Sequence, residues 1–202
     1  GIYLVTKKKS GDSSMHINEK GLVSGYAWLV VLATVIMLGI GLANIHQSWE
    51  SVAFGNNFAY SPQYQPCTSI DPTSYCEGKF NYDDLAAKRD LVQGATLVVI
   101  ALLIGGLHWA IASKYNGTKE GDWARKWFIV FGLIGSSIVS LVTLPMATFS
   151  TINYILYGIQ NSNTYMGPTD YPGGALATAL AFLPIWIVFL VIFLRERPQK
   201  KA

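Results

Sequence analysis

Residues 97–106 read LVVIALLIGG and residues 185–194 read IWIVFLVIFL, two runs with no polar side chain on any face of a helix. A helix at the surface of a water-soluble domain keeps a polar stripe, so helices that are apolar all round call for lipid as their surroundings. Working outward from these runs, Asp, Glu, Lys and Arg are missing from residues 24–49, 91–113, 127–160 and 173–194. Each stretch reaches the roughly 20 residues needed to cross a hydrocarbon core about 30 Å thick. Only 13% of the 202 residues are charged, against 51% apolar, and the charges crowd into the segments between the stretches. The first stretch is too long for a signal peptide, has no small-residue cleavage site and is followed by three more spans.

Basic residues near helix ends stay on the cytoplasmic side. Lys7, Lys8, Lys9 and Lys20 precede the first stretch, Lys114, Lys119, Arg125 and Lys126 lie between the second and third, and Arg195, Arg197, Lys200 and Lys201 follow the fourth. The opposite segments hold Lys79, Lys88 and Arg89 with the acids Glu50, Asp71, Glu77, Asp83, Asp84, Asp90 and Asp170. Both termini are therefore expected inside. The net charge of +3 reads as a topology signal, with the basic flanks meeting anionic head groups, and not as a nucleic-acid footprint.

The expected fold is an all-α integral membrane protein of the cell membrane, a four-transmembrane-helix bundle with N-in/C-in topology. Its segments are an N-terminal arm (1–23), a first span (24–49), an extracytoplasmic lobe (50–89), a second span (90–113), a cytoplasmic loop (114–126), a third span (127–160), an outer loop (161–172), a fourth span (173–194) and a tail (195–202). Residues 1–14 precede Met15 and differ in character from the rest. They read as a processed leader, an expression remnant or a native basic arm, and carry no weight in the fold.

Cys67 and Cys76 both fall in the outer lobe, where disulfides persist, and are expected to pair. Phe54, Phe58, Tyr60, Tyr64, Tyr75, Phe80 and Tyr82 make that lobe a packed one, with weak periodicity for short strands. At 1.5 Å per residue the third stretch would extend about 50 Å, so it must tilt, project outward or kink, with Pro145 as the kink site. The polar run Thr148, Ser150, Thr151 and Asn153 marks its outer part. Gly39 and Gly41 on the first helix, and Gly132, Ser136 and Ser140 at four-residue spacing on the third, are small residues that let helices approach closely. Tyr26 and Trp28 at one end of the first helix, with His46 and Trp49 at the other, suit the two membrane interfaces. A faint parallel duplication is visible in the paired Ala95-Thr96 and Ala177-Thr178.

Chemistry-bearing residues are few. His108 is the one ionisable group well inside a span, and such groups mark relays, ion paths or ligand sites. A haem bridging His46 and His108 is excluded, because about 25 Å of depth separates them. A single haem or pigment held by His108 stays open beside an interfacial histidine bonded to a neighbouring helix or head group. His16 reads as a surface histidine, and Asp83 and Asp84 read as acids complementing a helix N-terminus or as a weak cation site. No hydrolase, metalloprotease or phosphate-loop motif occurs, so an enzyme is not expected and no cofactor is predicted.

The run Gly106-Leu107-His108-Trp109, with Trp123-Ala124-Arg125-Lys126-Trp127-Phe128 after it, resembles a prokaryotic four-helix membrane domain of unknown function, over about residues 90–200. Four spans, a large first outer loop with Cys67 and Cys76, Ala87-Lys88-Arg89 at the head of the second helix and an overlong third helix look like the claudin superfamily. That family's Gly-Leu-Trp before the first cysteine is replaced in this chain by Gln63-Tyr64-Gln65-Pro66. The first resemblance implies no activity, and the second implies adhesion or an auxiliary role. The expected role is a non-catalytic subunit or scaffold of a larger membrane assembly, with other membrane subunits and lipids as partners. A small-solute transporter or channel, and a haem- or pigment-binding electron-transfer subunit, are the alternatives.

Overall fold

The computed structural model describes residues 19–61, 63–65, 79–81, 85–158 and 171–196. Its helices are α1 (Glu19–Phe54), the short α2 (Asn56–Ala59), α3 (Ala86–Ser113), α4 (Lys119–Asn153) and α5 (Pro172–Glu196). A single π-helical turn, Tyr154–Gly158, continues α4. The strands β1 (Gln63–Gln65) and β2 (Lys79–Asn81) pair antiparallel, with Gln63 opposite Asn81. Cys67, Cys76, Asp83, Asp84 and His16 lie outside the described residues, as does the expected lobe disulfide.

Among the described residues four helices, α1, α3, α4 and α5, are long and apolar enough to cross a membrane. Their outward faces are apolar as well: Leu103 is 70% exposed, Leu141 74% and Leu29 66%. Apolar surface on that scale is a liability in water and the normal condition of a helix in lipid. Two hydroxyls on α4 turn back onto their own backbone, which satisfies them without water. Thr143 Oγ1 donates to Val139 O and Thr148 Oγ1 to Leu144 O, each at 2.8 Å.

The helices extend beyond the expected spans. α1 has 36 residues, about 54 Å at 1.5 Å each, and runs from Glu19 past Glu50. α4 begins at Lys119, eight residues before the expected start at Trp127, so most of the segment read as a loop is its first two turns. The cause is local. Thr118 caps the helix by accepting from Gly121 N at 3.1 Å, Glu120 and Asp122 occupy the first turn, and Asp122 Oδ1 accepts from Gly117 N at 2.9 Å. Gly117 takes φ +84°, the left-handed conformation that lets the chain reverse between α3 and α4. Both Pro145 in α4 and Pro184 in α5 lie inside continuous helix, each forgoing one backbone hydrogen bond.

The four long helices contact one another unequally. α1 is central, with α3 antiparallel along one side; α4 and α5 pack on each other and on α1. α3 has no substantial interface with α4 or α5. Only 17% of its apolar window is buried within the chain, against 33% for α1.

Candidate functional site

Small residues set the helix seams. Gly41 of α1 meets Gly94 of α3 backbone to backbone, since a Cβ built on either would lie within 3 Å of the other's carbonyl oxygen. Further along the same seam, Gly105 accommodates Thr34, whose hydroxyl donates to Val31 O at 2.8 Å. Ala112, fully buried, continues the seam into a cluster with Ala27, Trp28, Val31 and Ala124. Close approach of this kind is how helices associate where lipid competes for every apolar contact.

α5 is held differently, by two rings seated on glycines. Phe182 lies over Gly39 of α1 and Phe189 over Gly132 of α4, and both rings are buried. Ser136 and Ser140 continue the Gly132 face and are buried; Ser136 Oγ donates to Gly132 O at 2.6 Å, while Ser140 Oγ has no hydrogen-bond partner. Of the small residues noted in the sequence, Gly39, Gly41 and Gly132 meet other helices of this chain, and Ser136 and Ser140 are buried. Phe182, Phe189, Gly94 and Gly105 complete those contacts and were not singled out; only their pairing across helices reveals them.

Two small positions face the other way. Gly106 of α3 has open space where a Cβ would point, and Ala110, one turn on, is exposed. Nothing in the described chain covers this patch.

His108 is half exposed, its Nδ1 lies 2.8 Å from Ile104 O, and its ring meets Tyr26 edge-on at 5.8 Å. That bond to its own helix assigns the Nδ1 proton and leaves Nε2 as the free nitrogen. Its level beside Tyr26 puts it about 30 Å along α1 from His46. No second ring nitrogen approaches it among the described residues, and no group of three His, Cys, Asp or Glu side chains converges there or elsewhere among them.

At the opposite end of the bundle, polar groups cluster where α1, α2 and α5 meet. Glu50 is 4% exposed and neither carboxyl oxygen has a hydrogen-bond partner. A Cβ on Gly173, in the first turn of α5, would lie 3.1 Å from both Glu50 Oε2 and Ala59 O, so these oxygens converge on the same small space. Around them Gln47 Nε2 donates to Ala59 O at 2.9 Å and Ser48 Oγ to Ala87 O at 2.8 Å, which tie α1 to α2 and α3. Burial raises the Tyr60 phenol above its ordinary value, and the facing Asp90 carboxylate pushes it further the same way, while Arg89 opposes. In the sequence Glu50 reads as one more outer acid; its burial comes from α5 closing over it.

Among the described residues, clefts open between the long helices. One of about 400 Å³ lies between α1 and α4, walled by Trp28, Trp123, Trp127 and Phe131. Another of about 320 Å³ lies between α4 and α5 beside Thr148 and Thr151, and its walls are otherwise apolar. A further cleft, about 470 Å³, is bordered by all four long helices, with Trp28, Trp109, Arg125 and Val188 among its lining. His108 lines none of them.

No protein-family model, curated protein or solved structure matches this chain.

Proposed function

We propose that this chain is a non-catalytic, membrane-spanning subunit or scaffold of a larger membrane assembly, with both termini cytoplasmic and a Cys67–Cys76 bridge closing its outer lobe. One observation carries the reading: α3 has a substantial interface with α1 alone, and its uncovered side presents Gly106 and Ala110 one turn apart. A helix that faces only lipid gains nothing from glycine, which weakens a helix by about 0.8–1 kcal/mol relative to alanine. A neighbouring helix gains close backbone approach there. The basic residues gathered at the α1 start, the α3–α4 turn and the α5 end support the orientation, because those three places share one end of the bundle.

The experiment is co-purification from native membranes with Gly106→Leu. A Cβ at 106 has no neighbour within 4 Å among the described residues, so the variant is expected to fold as the parent does. Loss of co-eluting subunits is expected, and unchanged co-elution refutes the proposal.

A further inference from the structure

We propose that the cleft bordered by α1, α3, α4 and α5 binds one anionic phospholipid, with an acyl chain along its walls and the phosphate on Arg125. The cleft is large, about 470 Å³, and apolar in its lining apart from one charged side chain, Arg125. Charge at one end of an otherwise apolar interhelical cleft matches a lipid, which is apolar along its length and anionic at its head.

The donors fit that reading. Arg125 Nη2 pairs with Glu196 Oε1, which uses one edge of a guanidinium that carries five N–H donors. The remaining donors form the planar fork that suits a phosphate. Its side chain is 40% exposed, so the head group needs no rearrangement to reach it. Trp28 forms part of the apolar wall. Trp109, 58% exposed at the same cleft, stands where an interfacial ring belongs. Lys114, Lys119, Lys126 and Arg195 lie at this end of the bundle but do not line the cleft, so the preference for an anionic over a zwitterionic head rests on Arg125. Gly106 and Ala110 do not line the cleft, so lipid binding and subunit docking are separable.

The test uses the purified full chain in neutral detergent, offered dioleoylphosphatidylglycerol or dioleoylphosphatidylcholine, with retained lipid counted by native mass spectrometry. Retention of the anionic lipid should exceed that of the zwitterionic one about five-fold, the contribution of one basic residue near a head group. Arg125→Gln should erase that preference. Val188→Trp, placed on a lining residue that is 56% exposed, should fill the cleft and abolish retention of both lipids without disturbing the core. Equal retention by the parent, an undiminished preference in Arg125→Gln, or retention unaffected by Val188→Trp overturns the proposal. So does a polypeptide cross-linked at Val188→Cys in native membranes, which would put a protein helix in the cleft instead.

Discussion

Adding a single methyl at Gly132 tests the packing of α5 most directly. A Cβ there overlaps the Phe189 ring. The ring has little room to turn away, because it packs on Phe128 at 5.3 Å and Phe128 packs on Trp28 at 4.7 Å, with all three at or near the core. Forcing extra volume into a filled contact costs about 1–3 kcal/mol. The same Gly→Ala change also gains helix propensity, up to about 1 kcal/mol, which would mask part of that cost. Gly106→Ala supplies the correction, since it carries the propensity gain and meets open space. The difference in unfolding free energy between the two variants should therefore be about 1–3 kcal/mol, with Gly132→Ala the less stable. Reversible unfolding in mixed micelles, followed by far-ultraviolet circular dichroism, measures it. Adding Phe189→Leu to Gly132→Ala should recover much of the loss, because the two side chains are in contact and their effects are coupled. If both alanine variants agree within about 0.5 kcal/mol, the margin within which independent sites add, Phe189 does not seat on Gly132 and α4 and α5 pack in a different register.

Two further outcomes follow from the polar end of the bundle. Glu50 buries two unpartnered oxygens, each a cost of about 1–3 kcal/mol, so Glu50→Met should raise stability in the same unfolding assay; a clear loss would mean that the carboxyl has a stabilising partner. Tyr60 has its folded-state value raised, so its contribution is fully present below the unfolded value near 10 and is lost as pH rises above it. The parent should consequently lose stability above pH 10 more steeply than Tyr60→Phe, and parallel curves for the two would show that the phenol is as solvated in the folded chain as in the unfolded one.

The helices themselves are legible without coordinates. Residues 97–106 and 185–194 admit no aqueous surroundings, and the gaps in charge mark the four spans, because the cost of placing a charge in hydrocarbon dominates every other term at those positions. Helix ends were legible only in part. The capping threonine and acidic first turn at 118–122 announce the start of α4 eight residues ahead of the first apolar run, but the count of charges hid it. Gly39, Gly41, Gly132, Ser136 and Ser140 stood out as packing residues because small side chains are costly in a helix unless something approaches them.

What they approach was decided elsewhere. Sequence alone determined that the chain has four bilayer-length apolar helices with small residues at particular depths, since solvent and helix period act on each residue separately. The tertiary structure alone decided that Phe182 and Phe189 fill the glycine faces, that α3 packs chiefly on α1, and that Glu50 is enclosed by the first turn of α5. Each of these is a relation between residues far apart in the chain, fixed by which surfaces meet, and in lipid that choice rests on shape and close contact, which an apolar run of one helix does not encode.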